Sequence, residues 1–207
     1  MNLKGMLSPR DCLLGICFPI NRHEYQSQVS DTEAYEFARR VSPRFRDYHH
    51  AVIKPTLRLV RVARQLGADV RMNFALGDLD TSLREGHGLC LILFAHWRED
   101  GVEFADGYAT SDTIINHIPT SFSGILDLCV CHPGKLVGKI RNSRPDIGAI
   151  SWTTASRTLG LWVGFYQALL FLLARGDLTY TSALNIVLEG FYERSTHGIL
   201  LDGMDER

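Results

Sequence analysis

The stretch that decides the fold is Gly124-Ile125-Leu126-Asp127-Leu128-Cys129-Val130-Cys131-His132-Pro133-Gly134. Its mostly apolar run ends on a cysteine, and a Pro-Gly turn signal follows at once. This pattern predicts a buried strand whose last residue, Cys131, lies at the carboxyl edge of a sheet. A second apolar run, Leu89 to Ala95, leads directly into His96. A continuous apolar run of this length is typical of a strand that is covered on both faces.

Segments with the pattern of strands alternate with segments with the pattern of helices along the chain. The predicted strands are Leu13 to Ile20, Val70 to Leu76, Leu89 to Ala95, Ile125 to Val130 and Ile147 to Trp152. The predicted helices are Ala34 to Arg40, Pro55 to Leu66, a short one from Ser111 toward His117, a long one from Ser156 and a last one from Ser182 to Tyr192. We also expect a polar loop from Gly77 to Gly88 and a hairpin over Val102 to Gly107. The alternation predicts an α/β fold with a mainly parallel sheet, formed by residues 1–207 as one domain.

The composition favours a globular protein without a strong overall charge. Of 207 residues, 45% are hydrophobic, and 22 Lys and Arg against 23 Asp and Glu leave a formal net charge of -1. We therefore expect no nucleic-acid partner, since a polyanion would need a local basic patch on this chain.

Cysteine usage and hydropathy favour a cytoplasmic location. Five cysteines without disulfide spacing are typical of a compartment that keeps thiols reduced. Met1 to Pro9 lacks the apolar run of a signal peptide. The most apolar segment, Leu159 to Ala174, is shorter than the roughly 20 residues that a membrane span needs. We interpret it as a core helix and expect no membrane partner.

The ends of the two decisive apolar runs carry the residue types of a cysteine–histidine pair. Strand carboxyl ends line the ligand crevice of an open α/β sheet, so Cys131 and His96 are expected to meet there. A thiolate attacks a carbonyl carbon, while an imidazole takes the thiol proton and then protonates the leaving amine. Backbone N–H groups in the turns after these strands, near Gly134, are expected to hold the oxyanion.

Other residues compete for these roles. Cys129 lies on the same predicted strand face as Cys131, one step further into the core, where a thiol packs as a small apolar group. His87 precedes the apolar strand, and His132 adjoins the cysteine in a predicted loop. Cys129-x-Cys131-His132 also invites a metal interpretation, with His96 and His117 as further ligands. A structural zinc site needs four ligands, usually in two spaced pairs, so we predict no metal and no organic cofactor.

The region around His96 resembles the histidine region of caspase-like cysteine peptidases of the CHAT type. In that family an apolar strand ends in a histidine and is followed by a short hairpin with an Asp-Gly turn and a capped helix. The matching segments are Ile92-Leu93-Phe94-Ala95-His96, Val102-Glu103-Phe104-Ala105-Asp106-Gly107 and Thr110-Ser111-Asp112. The family's cysteine strand, next strand and following helix resemble Leu126 to Cys131, Ile147 to Trp152 and Phe165 to Leu173. Trp97 and His132 stand where the family usually has glycine and an acidic residue.

The resemblance implies a caspase–hemoglobinase fold, a three-layer sandwich, and hydrolysis of polypeptides by a Cys131–His96 dyad. It also implies a substrate cleft beside the cysteine strand, whose expected residues are Asp127, Ser151, Trp152 and Thr153. A pocket for a basic side chain would need a carboxylate near the strand ends, and the other acids considered are Asp11, Asp106 and Asp146. The alternative function is a catalytically inactive caspase-like module that binds a nucleotide signal or a protein partner.

Basic residues are concentrated between the first two predicted strands. They are Arg39, Arg40, Arg44, Arg46, Lys54, Arg58 and Arg61. A solvated helix face is one interpretation, and a site for an anionic ligand at Arg44, Arg46 and Arg58 is the other. Compact caspase-like peptidases of bacterial defence systems are often activated by a protein partner or a nucleotide-like signal. The resemblance therefore implies a regulated effector, with activation acting on this domain or through oligomerisation.

Overall fold

The computed structural model describes residues 6–30, 44–84, 89–131, 133–153, 159–194 and 205–206, with the backbone alone for 28–30, 131, 149, 151–153, 191–194 and 205–206. The strands are β1 (Cys12–Ile16), β2 (Asp69–Met72), β3 (Cys90–Phe94), β4 (His96–Arg98), β5 (Gly101–Phe104), β6 (Gly107–Thr110), β7 (Ile125–Cys131), β8 (Ala149–Thr153) and β9 (Asp205–Glu206). The helices are α1 (Arg22–Ser30), α2 (Phe45–Tyr48), α3 (Lys54–Gln65), α4 (Leu76–Arg84), α5 (Ser111–Asn116), α6 (Gly134–Ser143), α7 (Leu159–Leu173) and α8 (Tyr180–Arg194). A 3-10 turn, Pro9–Asp11, precedes β1, and a π-helical turn, His49–Ile53, joins α2 to α3.

Five neighbouring strands of the main sheet are parallel. Their order is β2-β1-β3-β7-β8, and β9 pairs antiparallel with β8 at one edge. β4, β5 and β6 form a separate antiparallel sheet, which follows β3 in the chain. The predicted α/β fold with a mainly parallel sheet is confirmed.

Helices cover both faces of the main sheet. Side chains alternate between the faces along each strand, so neighbouring strand residues such as Leu13 and Leu14 enter different cores. The core on one face contains residues of α3, α7 and α8, including Leu59, Phe165 and Leu184. The core on the other face contains residues of α4, α5 and α6, including Leu79, Ile114 and Leu136. This layering is compatible with a three-layer sandwich.

The predicted helix from Pro55 to Leu66 is confirmed as α3, Lys54–Gln65. Its apolar residues Leu59 and Val60 are buried, while Arg58 and Arg61 are exposed. Gly67 follows with a positive φ of 92°, a left-handed conformation that ends many helices and suits glycine. The amphipathic pattern and the cap signal therefore gave the correct element.

The polar loop predicted from Gly77 to Gly88 is wrong, because Leu76–Arg84 is helix α4. Leu79 and Leu83 lie one turn apart and are both buried in the core. The Asp78 carboxylate accepts the Ala75 N–H at 2.8 Å, which satisfies one of the donors at the helix start. Burial of the two leucines stabilises a helix where the Gly-Asp sequence alone indicated a turn.

Three further predictions differ from the structure. The first strand was predicted to reach Ile20 but ends at Ile16, and α1 follows it. The strand predicted to run on to Leu76 is β2, which ends at Met72. Gly134 was expected to allow a sharp turn, yet it begins the unpredicted helix α6. The predicted helix from Ala34 to Arg40 lies outside the described residues.

Gly124 determines how closely the chain entering β7 approaches β3. A Cβ atom at this position would lie 2.2 Å from the backbone oxygen of Leu89, a separation that side chains do not tolerate. The Ile125 N–H donates to the same oxygen at 2.8 Å. The first residue of the decisive stretch therefore helps to set the β3–β7 register, which places the ends of both strands.

Candidate active site

The β3–β7 register brings the two predicted catalytic positions to neighbouring strand ends. Phe94 on β3 is the Cα partner of Cys129 on β7. His96 and Cys131 each lie two residues further along. Neighbouring strands are separated by about 4.7–4.9 Å, and the Ala95 N–H donates to the Cys129 carbonyl oxygen at 3.5 Å between them. The backbones at His96 and Cys131 therefore lie at the same edge of the sheet.

Cys131 is the last residue of β7 and lies beside an irregularity in the sheet. Leu128 is the Cα partner of Trp152, whereas Cys131 is the partner of the next β8 residue, Thr153. Two residues of β7 are thus left without a counterpart on β8, an interruption of the kind that often occurs next to active sites. α6 begins at Gly134, and the N-terminus of a helix stabilises a nearby thiolate. His132 lies outside the described residues.

A buried carboxylate is paired with the histidine position. His96 begins β4, and its Cα partner on the antiparallel strand β5 is Glu103. Directly opposed residues share a sheet face, with Cβ atoms about 4.5–5.5 Å apart. The Glu103 side chain is 2% exposed, and Arg98 Nη1 lies 3.9 Å from its Oε1 atom. The arrangement places an acidic group where it can orient the imidazole.

Glu103 was not predicted as a site residue, because the hairpin turn lies one residue before the position that the sequence indicates. Asp100-Gly101 is a typical turn sequence, and a two-residue turn there would put Glu103 opposite Arg98. In the structure Glu99 and Asp100 form the turn, so that Arg98 pairs with Gly101 and Glu103 lies opposite His96. Trp97, the residue between His96 and Arg98, has Val102 as its partner and packs against the core that contains Leu79. Trp97 is therefore a packing residue of this small sheet.

The four cysteines whose side chains are described are buried. Cys12, Cys17 and Cys90 are at most 1% exposed, and Cys129 is 8% exposed in the core beside α7. Burial raises the pKa of the Cys17 and Cys90 thiols well above the usual value. A buried thiol with a raised pKa is a poor nucleophile. Burial thus disfavours Cys129 as the alternative nucleophile.

Asp127 is enclosed in the core, although it was predicted to be part of the substrate cleft. The residue is 1% exposed, and the Tyr166 hydroxyl donates to its Oδ1 atom at 2.6 Å. The Tyr180 hydroxyl donates to Oδ2. Burial raises the Asp127 pKa to about 6, and the two tyrosine hydrogen bonds oppose that shift. The carboxyl group joins β7 to α7 and α8 and does not face an open cleft.

The predicted cleft residues of β8 lie beside β7 at different depths. Ser151 is the Cα partner of Asp127, and Trp152 is the partner of Leu128. Thr153 alone among the three has Cys131 as its partner. The backbone of Thr153 is therefore the part of β8 that adjoins the predicted nucleophile. The loop from 154 to 158 lies outside the described residues.

A cavity of about 380 Å³ lies beyond the carboxyl ends of β1 and β2. It is lined by His23, Glu24, Ser27, Asn73, Ala75, Ala105 and Asp106. Asp106, at the β5–β6 turn, accepts the Leu76 N–H at 2.9 Å. The other acids considered for a basic pocket have local partners: Asp11 accepts the Ser8 N–H at 2.8 Å, and Asp146 lies 2.7 Å from Arg144. Asp106 is thus the one of these three acids that lines the cavity.

The predicted anionic-ligand residues do not converge on one point. Arg44 precedes α2, Arg46 lies in α2 and Arg58 lies in α3, and all three are exposed. Arg46 and Arg58 are separated by 12 positions of continuous helix, roughly 18 Å along the axis. One small anion cannot bridge that distance.

Metal ligation was the other interpretation of the Cys-x-Cys-His spacing. Across the described ranges, no group of three or more His, Cys, Asp or Glu side chains is arranged to hold a metal ion. His117 Nδ1 lies 2.8 Å from the Thr113 carbonyl oxygen, where it forms a hydrogen bond with its own helix. His87 lies outside the described residues.

No protein-family model matches the chain, and no curated protein matches it either. Within the described helices, none has both the length and the apolar character needed to cross a bilayer.

Proposed function

We propose that the chain is a cysteine endopeptidase with a caspase–hemoglobinase-like fold, in which Cys131 is the nucleophile and His96 transfers protons. The observation that carries the proposal is the pairing of Phe94 with Cys129, which puts His96 and Cys131 at neighbouring strand ends. The small antiparallel sheet after β3 and the helix capped by Thr110 also occur in the order found in caspase-like peptidases of the CHAT type.

In the proposed reaction, the Cys131 thiolate attacks the scissile carbonyl carbon of a polypeptide. The resulting oxyanion accepts hydrogen bonds from backbone N–H groups at the turn between β7 and α6. His96 protonates the leaving amine as the C–N bond breaks, which leaves a thioester on Cys131. His96 then takes a proton from water, the hydroxyl adds to the thioester carbonyl, and the thiol is released with the new carboxylate.

Each neighbouring element has a role in this proposal. Glu103 orients the imidazole of His96, and the N-terminus of α6 favours the thiolate. Thr153 and the adjoining part of β8 form one wall of the substrate cleft. Asp127 supports the cysteine strand from the core and does not contact the substrate. The reaction requires no metal or organic cofactor.

We also propose that the peptidase is a regulated cytoplasmic effector, as its resemblance to peptidases of bacterial antiviral defence implies. A protein partner, a nucleotide-derived signal or a second copy of the chain would activate it. Thiol reactivity is therefore a better first test than turnover, because it reports the Cys131–His96 pair without a known substrate.

The test compares alkylation rates of individual cysteines in the folded protein. We expect iodoacetamide to modify Cys131 at least about tenfold faster than Cys129, because the Cys129 thiol is buried in the core. A His96→Ala variant should slow modification of Cys131 and leave the other thiols unchanged. Peptide mapping by mass spectrometry gives each rate, and a Cys129→Ala variant is the matched control.

Turnover is then measured with a mixture of unstructured polypeptides as substrate. Cys131→Ala should abolish cleavage, whereas Cys129→Ala should retain it. Cleavage by Cys131→Ala at the wild-type rate would reject the proposal, as would alkylation of Cys131 that does not depend on His96. A protein whose Cys131 is unreactive but which still binds a nucleotide or protein partner would correspond to the inactive module instead.

A further inference from the structure

One face of a long helix carries a row of exposed basic side chains. α2, the π-helical turn and α3 form one continuous helix from residue 45 to 65, because the residues at both junctions have helical backbone angles. Its exposed positions include Arg46, His50, Lys54, Arg58 and Arg61, which follow one another at intervals of four, four, four and three residues. We call these five residues the basic stripe.

The π-helical turn reduces the winding of the basic stripe around the helix axis. In an ordinary α-helix, positions four apart drift by about 40° around the axis, so such a row would wind away from one face. The wider turn at His49–Ile53 rotates less per residue and reduces this drift. Pro55 lies just after that turn. Because proline has no backbone N–H, it would interrupt the hydrogen-bond pattern of a regular α-helix at this position. The wide turn at the proline therefore keeps the basic side chains closer to one face of the helix than an uninterrupted α-helix would.

The basic stripe lies in surroundings with little negative charge. Asp47, exposed beside Arg46, is an acid of this long helix, and the sequence contains no further Asp or Glu from Tyr48 to Ala68. Helix α7, which packs against α3, has no charged residue. Among the described residues, no acid forms an ion pair with Arg46, Lys54, Arg58 or Arg61, whereas Arg84, Lys139, Arg144 and Arg175 each form one. The positive charge of the stripe is therefore available to a partner.

We propose that the basic stripe binds the phosphodiester backbone of a nucleic acid. Cations four residues apart lie about 6 Å apart along the helix axis, and every second phosphate along one strand of a duplex lies about 6.8 Å further along. A small nucleotide requires cations that converge in a concave site, whereas this row is extended on a convex surface. Regular spacing over roughly 22 Å favours a regularly charged polymer over an acidic peptide.

This proposal modifies the expectation that nucleic acid is not a partner. That expectation was drawn from the net charge of -1, which describes the whole chain and not its surface. A membrane surface is a weaker fit, because Leu57, 41% exposed, is the large apolar side chain on this helix that is exposed. The proposal is independent of peptidase activity.

Salt dependence gives a quantitative expectation. Arg46, Lys54, Arg58 and Arg61 are four permanent cations. Neutralising four phosphates predicts a slope of log K against log salt of about -3.6 on duplex DNA and about -2.8 on a single strand. Affinity for the duplex should then fall about 150-fold between 50 mM and 200 mM salt.

The experiment measures fluorescence anisotropy of labelled duplex and single-stranded DNA with the full chain. The stripe variant carries Arg46→Gln, Lys54→Gln, Arg58→Gln and Arg61→Gln. The control variant loses the same charge elsewhere, through Arg10→Gln, Arg84→Gln, Lys139→Gln and Arg175→Gln. We expect the control to bind as the wild type does and the stripe variant to lose at least tenfold in affinity.

Several results would overturn the proposal. They are no binding by the wild-type protein at 50 mM salt, equal loss in the two variants, and competition by polyglutamate as effective as competition by unlabelled DNA. The two DNA probes distinguish a duplex from a single strand through the slope. Thermal melting checks that both variants are folded. If the stripe variant unfolds, a Lys54→Gln/Arg58→Gln double variant replaces it. This double variant should change the slope of log K against log salt by about half as much.

Discussion

His96 and Glu103 are directly opposite each other in the antiparallel pair β4–β5, and the glutamate is 2% exposed. Burying a carboxylate costs free energy unless the group has a partner. The position of Glu103 opposite the histidine therefore allows it to interact with the imidazole. In the proposed peptidase, the acid fixes the orientation of the ring and stabilises the imidazolium that forms during catalysis.

Replacing this acid should weaken catalysis more than it weakens the fold. We expect Glu103→Gln to lower kcat/KM about ten- to a hundredfold, with most of the loss in kcat, because the imidazolium loses its counter-charge in the transition state. Steady-state kinetics and the rate of Cys131 alkylation measure the effect. Glu103→Asp should partly restore both rates. A variant with normal kcat and a lower melting temperature would mean that Glu103 has a structural role alone.

The buried carboxyl of Asp127 makes stability depend on pH. Burial raises its folded pKa to about 6, whereas an unfolded aspartate titrates near pH 3.9. The folded state therefore binds this proton more tightly than the unfolded state. The resulting stabilisation is complete below about pH 4 and is lost as the pH rises through about 6. Two pKa units correspond to about 3 kcal/mol.

An Asp127→Asn variant should lack this dependence, because an amide does not titrate in this range. Between pH 4 and pH 7.5, we expect the free energy of unfolding of the wild type to fall by about 3 kcal/mol relative to the variant. Urea denaturation at several pH values gives the difference. Asp146→Asn is a control with the opposite pH dependence. Arg144 lowers the Asp146 pKa, so this carboxylate stabilises the folded state as the pH rises, not as it falls. Parallel pH profiles for the wild type and Asp127→Asn would contradict the prediction.

The sequence predicted those parts of the fold that depend on local hydrophobic pattern. The apolar runs that end at His96 and Cys131 indicated buried strands, and both runs are central strands of the sheet. Helix α3 was predicted from the apolar residues Leu57, Val60 and Leu66 among arginines; Val60 is buried as expected, whereas Leu57 is 41% exposed. Helix α4 was missed because Gly77 and Asp78 are typical of turns, while the burial of Leu79 and Leu83 depends on the rest of the core.

Features that depend on pairing between distant residues were harder to predict. Asp127 was considered for a substrate cleft because a pocket for a basic side chain needs a carboxylate near the strand ends. The two tyrosines that donate hydrogen bonds to it lie 39 and 53 residues away in the sequence. The line of cations on the long helix depends on a π-helical turn, which the α-helical period used to interpret the sequence does not include. Glu103 could not be placed opposite His96 from the sequence, because the turn at Glu99-Asp100 lies one residue before the Asp-Gly pair that indicates a turn, and such a shift changes every cross-strand partner.

Gly124 provides a test of the β3–β7 register. A methyl group at this position would collide with the Leu89 carbonyl oxygen, which already accepts the Ile125 N–H. We expect Gly124→Ala to lower the free energy of unfolding by about 1–3 kcal/mol, because the strand entry must shift to relieve the overlap. Chemical denaturation measures the loss. Gly138→Ala in α6 is the control, since its Cβ would meet nothing within 4 Å and should stabilise the helix slightly.

Arg144 fixes the segment that leads into the cysteine strand. Its Nη1 atom donates to the Ile118 carbonyl oxygen at 2.7 Å and its Nη2 atom to that of Phe122 at 2.9 Å. Its guanidinium also forms an ion pair with Asp146, and the residue is 8% exposed. The planar group thus joins the end of α6 to the loop before Gly124.

We expect Arg144→Met to lower the free energy of unfolding by about 2–4 kcal/mol, because it leaves two carbonyl oxygens without their donor and removes the ion pair. Arg144→Lys keeps the positive charge but lacks the planar set of N–H donors of the guanidinium. Its free energy of unfolding should therefore fall by about half as much. Arg175→Met is the control, because its ion pair with Asp177 is exposed and should change stability by less than about 0.5 kcal/mol. Urea denaturation of the three variants checks the order. If Arg144→Met were no less stable than Arg175→Met, the two carbonyl contacts would not fix the entry to β7.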